Sequence, residues 1–264
     1  MSIFMTSLGM YMKKLIILFC FIATAFSMFA QNNALEMVKI PDMKIKMLAT
    51  EVTENLYKYV MGEIPYYNLP VVEGEDKDSR PVIYIGFCDA IYFCNKLSEM
   101  SGLKPVYSFN GKTDVNTWNY TPHKANFLDG KLCVKKNANG YRLPTIEEWQ
   151  YAANSGESYV YSGSNEIDEV AWNKNNSENT VHQVRLKKAN QYGLYDMTGN
   201  VSEWCWDWPM YKDFYTYMES EFMPTLGGSF KSNDTTCMNK KVKKNLLNFS
   251  SNQVGFRIVC LDKE

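Results

Sequence analysis

Between Asn190 and Trp208 the chain reads NQYGLYDMTGNVSEWCWDW. A Gly-Leu-Tyr-Asp run, a Gly-Asn turn and the alternate tryptophans Trp204, Trp206 and Trp208 share this one short stretch. On a strand, residues two apart face one way, so the tryptophans are expected on one face and Cys205 and Asp207 on the other. Asp196 precedes the Thr198-Gly199-Asn200 turn and Glu203 follows it. Turn backbones expose carbonyl oxygens, and two flanking carboxylates add charge. Such a set of oxygen donors is what a hard cation such as calcium takes.

Other segments carry comparable density. Tyr141–Ala153 reads YRLPTIEEWQYAA, Gly227–Phe230 reads GGSF, and Gly255–Val259 reads GFRIV. Upstream lie Glu51-Val52-Thr53, Val60-Met61-Gly62-Glu63 and the run Phe93–Glu99. Together, and in this order, they resemble the formylglycine-generating-enzyme, or sulfatase-modifying-factor, family. Its core motif G-L-Y-D-M-x-G-N-V-x-E-W is matched by Gly193–Trp204. The resemblance runs from about Met37 to Leu261. It departs at Ser202, where the family usually has Trp, and at Leu226, where an Arg usually precedes GGSF.

The resemblance implies an α+β fold, formylglycine-generating-enzyme-like and related to C-type lectins, rich in irregular loops. It also implies an activity, the oxidation of a sulfatase cysteine to formylglycine. Family enzymes bind copper(I) through two cysteines, and soft thiolates suit that metal. The matching positions here are Ser232 and Cys237, so one expected thiolate is a hydroxyl. Cys237 reads either as a remaining ligand or as a buried structural cysteine. The family's calcium site carries over to Asp196, Gly199, Val201 and Glu203, the middle two through backbone carbonyls. The alternative for that set is turn capping by Asp196 and backbone bonding by Glu203. The iron-dependent sulfoxide synthases of the family need three histidines, whereas this chain has only His123 and His182. Two functions follow: the family oxidoreductase, or a non-catalytic binding or assembly module of the same fold. A protein or peptide client suits either, and the tryptophan stripe could stack on sugar or peptide or simply pack the core.

Charge bounds the partners. With 28 basic and 29 acidic residues, the chain lacks the basic excess that nucleic acid or anionic membrane selects. Only Arg80, Arg142, Arg185 and Arg257 are arginines. Arg142 and Arg257 fall in the motifs, where a planar fork suggests specific bonding. At the start, Lys13-Lys14 followed by the apolar Leu15–Ala25 reads as a signal peptide, too short for a transmembrane anchor. Residues 1–30 are expected to be the leader, cut after Ala30 or after Ala25, and residues 31–264 one exported domain. Periplasmic, cell-surface and secreted destinations stay open. Six of the seven cysteines follow the leader, which allows fifteen disulfide pairings. Cys88 and Cys94 lie six apart on one predicted helix, on different faces, and cannot bridge.

Local signals give the elements. Thr53 is expected to cap a short helix ending before Gly62. Apolar residues at helical spacing predict a helix over 85–100, closed by Gly102. Thr145 and Glu148 form a capping box for a helix ending near Gly156. Phe127-Leu128 and Leu132–Val134 flank Asp129-Gly130 and read as a hairpin. The Asn-, Ser- and Gly-rich stretch 156–190 predicts irregular loops, and short strands are expected at Val201–Trp206 and Gly255–Val259.

Overall fold

Thr53 ends an extended segment, and its side-chain oxygen accepts the Leu56 amide. That bond satisfies one of the free amides at the start of α1, Glu54–Met61, which Gly62 closes in the left-handed conformation. The computed structural model describes residues 35–66, 70–124, 128, 130–135, 137–207, 214–216 and 222–263. Residues 37–264 form one compact unit. The expected leader and Trp208 lie outside the described residues.

Helix α2, Phe87–Met100, begins where Asp89 reaches back to the Gly86 amide. Most of it is buried, including the polar side chains of Asp89, Asn95 and Ser98. In α3, Ile146–Asn154, the capping box is present as expected: Glu148 accepts the Thr145 amide and Thr145 accepts the Glu148 amide. Ser155 in the left-handed conformation, rather than Gly156, closes this helix. A fourth, short helix, α4, spans Ile167–Val170 within the loop-rich stretch.

The strands are short and fall into four small sheets. β1 (Met37–Lys39) pairs with β2 (Ile45–Leu48), whose other edge takes the last strand, β12 (Val259–Leu261). β3 (Tyr107–Phe109) and β4 (Gly130–Val134) pair antiparallel, and β8 (Phe214–Thr216) adds to β4. Strand β4 therefore pairs with residues more than twenty positions upstream, where the sequence suggested a local hairpin partner. Phe127 and Asp129 themselves lie outside the described residues. β5 (Ala171–Trp172) runs parallel to β6 (Thr198–Gly199). The fourth sheet has the order β10 (Lys243–Leu246), β9 (Phe222–Leu226), β7 (Ser202–Trp204), β11 (Val254–Gly255).

The signature stretch is the hub. Trp204 and Trp206 do share a side: both rings pack on Phe87, at 6.0 Å each. Cys205 does not emerge on a solvent face. It is fully buried in a second core cluster with Trp149, Met197 and Leu226. The strand is covered on both faces, so only Asp207 follows the expected outward alternation. Gly199 is where two strands touch. Its φ is +78°, and a Cβ there would lie 2.2 Å from the Trp172 carbonyl oxygen. No other residue meets both demands. Among the described residues all six cysteines are free thiols. No helix among them is long and apolar enough to cross a membrane.

Candidate functional site

Arg257 and Glu203 form a fully buried ion pair beneath the signature turn. Arg257 Nε donates to Glu203 Oε2 at 2.6 Å and Nη2 donates to Oε1 at 2.7 Å. Trp149 Nε1 also donates to Oε2, at 2.7 Å. The rest of the fork donates to the carbonyls of Leu48 and Tyr195. Glu203 is thus bound on both oxygens, in the bidentate geometry that Arg offers and Lys does not. Arg142 and Glu148 repeat the arrangement at α3, with two contacts of 2.6 Å. The pairing holds Glu148 below the ordinary carboxylate range despite its burial.

Two further carboxylates crowd this cluster. Asp196, at φ +58°, accepts the Arg185 amide at 2.8 Å. Glu51 accepts the Val201 amide and the Asn200 side chain, both at 2.9 Å. Burial pushes Asp196 up to about 6, against the partial relief of the Arg185 amide and Arg257. Burial, then the charges of Asp196 and Glu203, push Glu51 well above the ordinary range. Glu51 is the member that sequence reasoning missed. Its Glu-Val-Thr motif was visible, but its contacts lie about 150 positions away.

The four residues expected to hold calcium are therefore brought together around one turn, with both Glu203 oxygens already engaged by Arg257 and Trp149. Glu203 is already neutralised by Arg257, and a cation beside it would face a buried guanidinium. Among the described residues no group of three or more His, Cys, Asp or Glu side chains is arranged to hold a metal. Millimolar calcium is accordingly expected to leave the melting temperature unchanged. A rise that Asp196→Asn abolishes would show that the ion displaces these contacts.

The copper positions lie after GGSF. Ser232 Oγ accepts the Ser229 amide at 2.9 Å and lies 3.2 Å from Ser229 Oγ. Cys237 is fully buried beside Tyr161 and Val170. Its sulfur packs so tightly on Gly228 that a Cβ there would come within 2.6 Å. Burial pushes its thiol up to about 12, with Asp234 adding to the shift. A protonated, enclosed thiol and a hydroxyl tied to the backbone do not make a two-thiolate copper(I) site.

Beside this region an open cleft of about 580 Å³ runs between the 70–73 and 178–181 loops, floored by Ile83 and Phe230. His182 ties the two loops. Its Nδ1 lies 2.7 Å from Glu75 Oε1 and its Nε2 lies 2.9 Å from the Ser177 carbonyl. Its ring stacks on Trp172 at 3.8 Å. His182 is a loop-bonding residue. His123 serves elsewhere, against Tyr57 and Asp89.

Residues 22–261 match the family model described as the sulfatase-modifying factor enzyme 1-like domain. The chain belongs to this family. Over 179 residues it is 37% identical to chaperone protein LppX of Paenibacillus barcinonensis, covering 60% of each chain. It is 32% identical over 152 residues to the formylglycine-generating enzyme of Streptomyces coelicolor, covering 45% of this chain and 46% of that one. The chain thus spans less than two thirds of either relative's length. Among solved structures, variable protein 1 of Treponema denticola superposes with a TM-score of 0.70 at 30% identity, over 85% of this chain and 91% of that one. The sulfatase-modifying-factor fold expected from the sequence, α+β with few helices and long loops, is the fold observed.

Proposed function

We propose that this sulfatase-modifying-factor protein is an exported, non-catalytic member of its family, using the fold to bind a protein or peptide client. The observation that carries the reading is the state of the copper positions. Ser232 is hydrogen-bonded to Ser229, and Cys237 is enclosed with its thiol held protonated. The open cleft beside Phe230, walled by loops that His182 and Glu75 clasp, supports binding of an extended segment. The Paenibacillus relative is named a chaperone, which supports a client rather than a substrate. The competing reading, oxidation of a sulfatase cysteine, has family membership in its favour.

Incubation with copper and a Cys-x-Pro-x-Arg peptide, the substrate motif that the family resemblance implies, decides between them. No formylglycine is expected by mass spectrometry, while the same peptide is converted by an active family enzyme in parallel. Conversion by the unmodified protein would overturn the reading. Ser232→Cys is expected to gain copper(I) binding only if Cys237 becomes accessible. Export is tested separately: the mature protein is expected to start at Gln31 or near Ala25, and recovery of the full-length chain alone would sink it.

A further inference from the structure

Ser202 and Ser232, two of the positions where this chain departs from the family signature, line one small cavity. Its volume is about 50 Å³. An ordered water needs about 10–15 Å³ on this measure, so the space holds roughly four water-sized atoms. A tryptophan at position 202 would project an indole toward this space; serine leaves it open.

The lining is a set of hydrogen-bond donors. Thr225 is buried and its oxygen already accepts from Asn245 at 2.8 Å, so its proton is free to donate elsewhere. Ser251 Oγ likewise accepts, from the Gln253 amide, and retains its proton. Ser229 donates to Gln253 Oε1 at 3.0 Å, which fixes that amide with its nitrogen as a donor. The Gln253 side-chain nitrogen and the Ser202 hydroxyl have no partner among the described residues. Lys241 and Lys243 complete the wall. Lys243 sits opposite Thr225 in the β9–β10 register, so the two side chains share a face. Neither lysine has a carboxylate partner among the described residues. No carboxylate is found among the described residues that line the cavity.

We propose that this cavity binds a small tetrahedral oxyanion, as free phosphate or sulfate or as the terminal group of a larger molecule. Such an ion presents mainly acceptors and has five heavy atoms. It would take hydrogen bonds from the hydroxyls and the Gln253 amide and charge from the two lysines. The inference stands apart from the client-binding reading, because neither its residues nor its test involves the cleft.

Isothermal titration of the mature protein at constant ionic strength tests it, with inorganic phosphate and phenyl phosphate as the probes. Saturable one-to-one binding of at least one probe is expected. Phosphate alone would mark a site for the free ion, and phenyl phosphate would mark a site for an ester. The K241Q/K243Q variant, altered only on the surface, is expected to lose about tenfold or more in affinity. Ser202→Trp, which refills the cavity, is expected to abolish binding. Absence of binding by either probe would overturn the proposal. So would undiminished affinity in the lysine double variant, whose fold does not depend on the refilled position.

Discussion

Arg257→Leu is expected to destabilise the protein by about 3–5 kcal/mol in urea unfolding, the usual consequence of leaving one buried charge without its partner. Arg257 and Glu203 are both fully buried, and the guanidinium spans Glu203 and the carbonyls of Leu48 and Tyr195. Leucine removes the counter-charge and strands those acceptors together. Trp149 alone then remains on Glu203. Arg257→Lys keeps the charge but not the fork, so it is expected to fall between the two. Adding Glu203→Leu to Arg257→Leu should recover part of the loss, because the unpaired carboxylate goes with it. A loss of under about 1 kcal/mol for Arg257→Leu would mean that water reaches Glu203 and the pair is not sealed.

Much of this architecture was legible because its causes are local. Thr53 and the Thr145–Glu148 box announce helix starts through atoms three residues away, and the structure contains both bonds. The Phe87–Met100 helix follows from its own apolar spacing. Signals that depend on distant partners were misread or invisible. Leu132–Val134 looked like half of a hairpin, but Tyr107–Phe109 supplies its partner edge. Alternation at Trp204–Trp206 correctly placed the tryptophans together, yet burial of Cys205 depends on what covers the other face. The site shows the same limit. Carboxylates flanking a turn are visible in a sequence, and calcium is a natural reading of them. Glu203 instead answers to Arg257, 54 positions on, and nothing in the turn itself discloses that choice. The serines at 202 and 232 stood out singly, whereas only folding brings them to one cavity.

Asp196→Asn is expected to stabilise the protein at neutral pH and to have almost no effect near pH 4. Asp196 is buried, with Glu203 adding to the effect, and its value is raised from 3.8 to about 6. For an acid whose folded value lies above its unfolded value, stability is fully present below the unfolded value. It is lost as pH rises through the folded one. Here that window runs from about pH 4 to about pH 6, and the loss reaches about 3 kcal/mol at 1.36 kcal/mol per unit. Asparagine is neutral throughout, so it escapes the loss. Its side-chain oxygen can still accept the Arg185 amide, and asparagine tolerates the left-handed backbone at φ +58°. Asp89 and Glu148, held below the ordinary range by His123 and Arg142, act in the opposite sense and weaken the fold in acid. The comparison must therefore be made as a difference between the two proteins, by urea unfolding at several pH values. The difference should grow from near zero at pH 4 and level off above pH 6. A difference that is constant with pH, or a variant that is weaker at neutral pH, would mean that Asp196 is ionised and held by Arg257 rather than protonated by its surroundings.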